Sequence, residues 1–205
     1  MLHEVLWTSN FDLARSCLAH PFVVALGDGT LKPDLFHAFI AQDAFFLRAF
    51  LKAHALALAR SEDRDTSEVF CGLITGVTEE LKLHRVYAAE LGIDLSSVVP
   101  NAACRAYTDF LLRTAWHNDL GETVASMTPC MRLYAYLGVA LAPQCSPSHP
   151  YRRWIETYGG REFGRLADQV ETLLDQVGAD TKEVRDRYRY ALQCELDFFS
   201  GALTS

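Results

Sequence analysis

The sequence predicts an all-α fold, a single-domain helical bundle of about eight helices spanning residues 1–205. Three observations carry this expectation. Apolar residues recur at helical spacing in nearly every segment, and strand-like alternation is missing. Half of the 205 residues are hydrophobic, enough for a sizeable core in a chain of one-domain size. No composition shift, internal repeat or low-complexity linker divides the chain.

Taken in order, Val5 to Leu18 reads as the first helix. His20-Pro21-Phe22 opens a link that runs to the turn signal Gly27-Asp28-Gly29-Thr30. A long helix follows from about Lys32 to Arg60, with Pro33 in its first turn, where a missing N–H costs nothing. Thr66 to Leu91 is the third, capped by Thr66 or Ser67 and stopped by Gly92. Pro100-Asn101 opens a fourth, which ends near His117-Asn118. The fifth runs from Gly121 to Leu141. Pro143, Pro147 and Pro150 mark a loop, and Tyr151 to Tyr158 is a short helix broken by Gly159-Gly160. Arg161–Val177 and Thr181–Leu203 close the chain.

The formal charge of −7, with no basic cluster, argues against a nucleic-acid partner. No apolar run approaches the ~20 residues of a membrane-spanning helix. The first residues, MLHEVLWTSNFDLARS, lack the pattern of a signal peptide. The cysteines, Cys17, Cys71, Cys104, Cys130, Cys145 and Cys194, are scattered without a CxxC pair. Free thiols in a reducing cytoplasm are the natural reading.

Met127–Gly138, MTPCMRLYAYLG, stands out. Pro129 suits a first helical turn, and Cys130, Tyr134 and Leu137 then share a wall at i, i+4 and i+7. A thiol near a helix N-terminus is a plausible nucleophile, since free N–H groups favour the thiolate. The alternative is a small residue in a helical core. Two carboxylates also interrupt apolar stripes. Asp43 falls among Phe36, Phe39, Ile40, Leu47 and Phe50, and Glu195 among Tyr188, Leu192 and Phe199. A charged group points into a core when it is paired or working, so each is either a fold-specifying contact or part of a site. Phe46, Tyr107, Tyr134, Tyr136 and Tyr158 sit at stripe positions, where aromatics build a core or a pocket for a flat heteroaromatic ring.

Metal readings are weaker. A di-iron carboxylate bundle needs Glu-x-x-His motifs, whereas Glu80 and His84 are four apart with no second copy. His20 could be a haem ligand, but it precedes Pro21 and suits a loop. His84 borders the core and reads as a satisfied or solvated residue. His37, His54, His117 and His149 show no ligand spacing, and Arg185, Arg187 and Arg189 read as a solvated face.

Five segments in order, Gln42-Asp43-Ala44-Phe45-Phe46-Leu47, Tyr107-Thr108-Asp109-Phe110-Leu111, Pro129-Cys130-Met131-Arg132-Leu133-Tyr134, Trp154-Ile155-Glu156-Thr157-Tyr158-Gly159-Gly160 and Glu195, resemble the TenA/thiaminase II family. The match covers nearly the whole chain and is similar to the branch that keeps an active-site cysteine. The resemblance implies a haem oxygenase-type bundle, usually a homotetramer. It implies hydrolysis of 4-amino-5-aminomethyl-2-methylpyrimidine to the hydroxymethyl compound in thiamin salvage, with thiamin as another substrate. By position it makes Cys130 the nucleophile, Glu195 the general acid/base at the ring nitrogen, and Asp43 the partner of the amidine edge. Tyr107, Tyr134 and Tyr158 line the pocket. Attack on an electron-poor ring needs a thiolate and a proton for the ring nitrogen, and no metal or organic cofactor. Phe46 departs from the pattern: it stands where well-studied members carry a Tyr that assists the cysteine, so activation would rest on the helix N-terminus or another Tyr. Two other readings stay open, a non-catalytic or regulatory pyrimidine-binding protein and a haem-binding bundle.

Overall fold

A computed structural model of the chain, described here over residues 1–203, consists of ten α-helices and one 3₁₀ turn. They are α1 (Leu2–Ser9), α2 (Phe11–Leu18), α3 (Pro21–Asp28), α4 (Pro33–Leu58), α5 (Arg64–Leu91), α6 (Ala102–His117), α7 (Leu120–Leu141), α8 (Arg152–Tyr158), α9 (Arg161–Val177) and α10 (Lys182–Leu203), with the 3₁₀ turn at Ala142–Gln144. The all-α expectation holds, with no strand among the described residues.

The count exceeds the expected eight for two local reasons. Asn10 divides the expected Val5–Leu18 helix: its side-chain amide donates to the Leu6 carbonyl (2.8 Å), in competition with the backbone ladder. The expected link after His20 is itself a helix. His20 caps it by accepting from the Phe22 N–H, Pro21 is its first residue, and Gly29 ends it at φ 79°. The His-Pro pair therefore starts a helix and does not mark a loop. Phe22, Val23 and Leu26 fix α3 to the core.

Side-chain caps set most other starts. The cap of α5 is Asp63, which accepts from Thr66 N (2.8 Å), so neither Thr66 nor Ser67 serves as the cap. Asn101 caps α6 and Asp119 caps α7. Gly92 ends α5 at φ 69°, as its position suggested.

α7 runs through the centre and contacts α4, α6, α8, α9 and α10. Sixteen of its residues are buried, so it lacks the polar face of a surface helix. Its hydroxyls are satisfied on its own backbone: Thr123 on Asp119 O, Ser126 on Thr123 O and Thr128 on Val124 O. Pro129 lies inside this helix. The expectation that it opens a helix fails, because neighbouring helices hold the turn that its missing N–H weakens. The thiol at Cys130 is therefore almost three turns from the N-terminus of α7.

Two further contacts position the site. At Gly138 a Cβ would lie 2.2 Å from Gly159 N and 2.4 Å from the Tyr158 carbonyl carbon, so α7 and the end of α8 touch backbone to backbone. At Gly76 of α5 a Cβ would lie 2.8 Å from Leu166 Cδ1, which brings α5 close to α9. The expected solvated Arg face of α10 is tied down by ion pairs, Arg185–Asp180, Arg187–Glu122 and Arg189–Asp12.

Candidate active site

The bundle encloses a narrow cavity of about 20 Å³ between α4, α5, α7, α8 and α9. Asp43, Phe46 and Phe50 reach it from α4, Gly76, Val77 and Glu80 from α5, and Cys130, Met131 and Tyr134 from α7. Tyr158, Phe163 and Leu166 complete the wall. Five of the seven candidate residues thus share one cavity. Tyr107 and Glu195 stand one layer out and reach it through neighbours, so Tyr107 does not line the pocket as expected.

On one wall, Asp43 is 3% exposed and its Oδ2 lies 2.7 Å from His84 Nε2. The other ring nitrogen, Nδ1, lies 2.9 Å from the Glu80 carbonyl oxygen. Both partners are acceptors, so the ring is an imidazolium when Asp43 is ionised. Burial disfavours that charge, but Asp43 and Glu80 outweigh it and raise His84 to about 9. Asp43 itself lines the cavity, whereas His84 does not. One turn before His84, the Glu80 side chain accepts a hydrogen bond from Tyr158. Burial, reinforced by Asp43, pushes Glu80 up to about 7.

On the other wall, the Tyr107 hydroxyl donates to Glu195 Oε1 at 2.8 Å, and the Cys130 thiol lies close to the same carboxyl. Glu195 is 2% exposed. Burial pushes it up to about 8 against the pull of Tyr107 and Cys130. Burial and the nearby Glu195 hold the Cys130 thiol well above its usual range, so it rests as a thiol. Phe46 has no hydroxyl to offer; its ring packs 4.7 Å from Tyr107 and 5.4 Å from Phe50. The helix N-terminus expected beside the thiol is not there, because Cys130 lies in mid-helix; the titratable group close to it is Glu195.

Tyr134 and Tyr158 meet edge to face at 4.9 Å, backed by Trp154. Both hydroxyls are held well above the normal phenol range by burial, then by nearby carboxylates, so they serve as donors. The site as a whole has three carboxyls, one imidazolium and an aromatic wall. That set suits a flat, cationic or amidine-bearing ring. Among the described residues, no group of three His, Cys, Asp or Glu side chains is arranged to hold a metal. His20 uses Nδ1 on Phe22 N–H and Nε2 on Ser200 Oγ, so neither nitrogen is left for a haem iron.

The sequence profile of the TENA/THI-4/PQQC family matches residues 10–205. The chain belongs to that family. Among its TenA-type relatives, the aminopyrimidine aminohydrolase of Halalkalibacterium halodurans is 35% identical over 172 residues, covering 80% of this chain and 77% of that protein. The bifunctional TH2 protein of Arabidopsis thaliana is 34% identical over 215 residues and 90% of this chain, but the chain spans only 35% of that longer protein. It spans 28% of the ThiED multifunctional protein of Corynebacterium efficiens. A crystal structure described as a TenA family transcription regulator from Silicibacter superposes with a TM-score of 0.92 at 28% identity, covering 98% of this chain and 96% of that one. A Shewanella denitrificans protein with a heme oxygenase-like fold superposes at 0.75 and 14% identity, covering 98% and 91%, which places this TenA-family bundle in that fold.

Two residues of the TenA-family site escaped the sequence reading. By sequence, Glu80 and His84 fail as a metal pair on spacing, and His84 reads as a satisfied or solvated residue. They sit in ELKLHRVYAAE, where His84 follows Leu81 and precedes Ala88 at the border of the core. The one available signal was their i, i+4 spacing, which puts both on one face of α5.

Proposed function

We propose that this chain hydrolyses 4-amino-5-aminomethyl-2-methylpyrimidine to the 5-hydroxymethyl compound in thiamin salvage, with thiamin as a second substrate, through a covalent adduct on Cys130. The observation that carries the reading is the pairing of the Cys130 thiol with the Glu195 carboxyl on a cavity whose other wall presents Asp43. Relatives from Halalkalibacterium halodurans and Bacillus subtilis named aminopyrimidine aminohydrolase support it.

Asp43 Oδ1 accepts from the ring's amidine edge, and the Tyr134 and Tyr158 rings flank the heterocycle. Cys130 Sγ attacks C6 while Glu195 takes the thiol proton and passes it to N1. Proton transfer in place avoids a free thiolate in a buried site and an anion on the ring. The neutral adduct then pushes electrons from the 4-amino group through C4=C5 and expels the C5-methylene substituent. Asp43 stands beside the amidinium that forms, and stabilises it. Water adds at the methylene, N1 returns its proton through Glu195, and the thiol departs. The same reading makes the protein a cytoplasmic homotetramer acting on small molecules alone.

The test is a parallel assay of the purified protein with the aminomethyl pyrimidine and with thiamin, with the hydroxymethyl product quantified by chromatography. Faster release from the aminomethyl compound is expected. Saturable binding of both compounds with no product would replace the enzyme reading with a binding protein.

A further inference from the structure

We propose that Glu80 works at the substrate's methylene: as a carboxylate it holds the aminomethyl nitrogen, and after ammonia leaves it takes the proton of the water that replaces it. This inference rests on the aminohydrolase reading.

Ring geometry points to Glu80. With the amidine edge on Asp43 and C6 at Cys130, the C5 substituent emerges between those two walls. Glu80 lines the same cavity, one helical turn from the His84 that binds Asp43. A second, independent feature agrees. Outside the cavity, α5 and the α8–α9 segment form a groove of about 700 Å³ that is open to solvent. Glu80 lines cavity and groove alike, together with Gly76, Phe163 and Leu166. A leaving group that moves outward passes Glu80, and water that moves inward passes it too. Tyr158 holds the Glu80 carboxyl from the cavity side.

The balance of atoms is simple. The substrate binds as its ammonium ion against the carboxylate, and the C–N bond breaks to release neutral ammonia. The electron pair for that departure comes from the ring, which becomes the amidinium. Water forms the new C–O bond and gives its proton to Glu80. The carboxylic acid then passes this proton to the departing ammonia, which leaves as ammonium.

Glu80 meets Asp43 from α4, His84 from its own helix, Cys130 from α7 and Tyr158 from α8. On the groove side lie Glu79 of α5, Glu156 of α8, and Arg161, Glu162 and Arg165 at the start of α9. Burial, then Asp43, raise the Glu80 carboxyl to about 7, while His84 and Tyr158 pull it down, so both protonation states are accessible near neutrality.

Glu80→Gln tests this against wild type with the aminomethyl pyrimidine from about pH 5 to 9. The expected loss in kcat/KM is about 100-fold or more at neutral pH. Both Glu80 and Glu195 must be ionised in the wild type, so the acid limb of log kcat/KM approaches a slope of two, and E80Q reduces it to one. Glu80→Asp, which keeps the charge but withdraws it by one methylene, recovers part of the rate and the steep limb. It carries the same test should E80Q fail to fold. Activity of E80Q within threefold of wild type, or a loss that leaves the limb unchanged, overturns the inference. A wild-type protein that turns over neither substrate overturns the aminohydrolase reading itself and this inference with it.

Discussion

His84 Nε2 lies 2.7 Å from Asp43 Oδ2, and both groups are almost fully buried. The pair places Asp43 on the cavity wall with the His84 ring behind it, outside the cavity lining. Desolvation of two charges makes such a pair costly to break, since removal of one partner strands the other.

His84→Gln should therefore destabilise the fold by about 3 to 5 kcal/mol near pH 6. The folded value of His84, about 9, lies above the ordinary 6.5, so its stabilisation is complete below pH 6.5 and is lost as pH rises through 9. Urea denaturation of wild type and variant should show the gap close over that window. A gap that is constant with pH would mean that the ring is neutral.

Glu195→Gln bears on both chemistry and stability. Loss of the group that relays the thiol proton should lower kcat/KM by about 100-fold or more. The folded value of Glu195, about 8, exceeds the ordinary 4.5, so the folded state holds that proton preferentially. Wild-type stability should then fall as pH rises from 4.5 to 8, by roughly 3 to 5 kcal/mol from this group. The glutamine variant should lose that slope in pH-dependent denaturation.

Gly138→Ala places a methyl group into the backbone of Tyr158 and Gly159. Overpacking of this kind costs about 1 to 3 kcal/mol. It should also move Tyr158 away from Glu80 and raise KM. A variant with wild-type melting temperature and KM would show that α7 and α8 are not held at this contact.

Phe46→Tyr restores a hydroxyl at a buried position. On the proposed route, in which Glu195 takes the Cys130 proton, the rate should change by less than about threefold. A tenfold gain in kcat would show that thiol activation is incomplete without that hydroxyl.

Asp43 and Glu195 were legible because each interrupts an apolar stripe, and a charge in a core is conspicuous. Cys130 was legible as a site residue, but its activation was not. Pro129 reads locally as a helix start, and only the burial of most of α7 shows why it sits in mid-helix. Glu80 and His84 lie on a helix rich in charge, where a working carboxylate looks like its solvated neighbours Glu79 and Lys82. Their role depends on Asp43 and Tyr158, which are distant in sequence and meet them only through packing. The short helix α3 was lost for the opposite reason, since its cap, proline and glycine are all turn residues as well.

The central claim is covalent chemistry at Cys130, and Cys130→Ala tests it most directly. Wild type and variant would be assayed for hydroxymethyl pyrimidine release from the aminomethyl compound, with folding checked by circular dichroism. The account predicts a folded variant with no detectable turnover, and a pyrimidine adduct on Cys130 in the wild-type protein quenched in acid and read by mass spectrometry. A folded variant that releases product at the wild-type rate would contradict it.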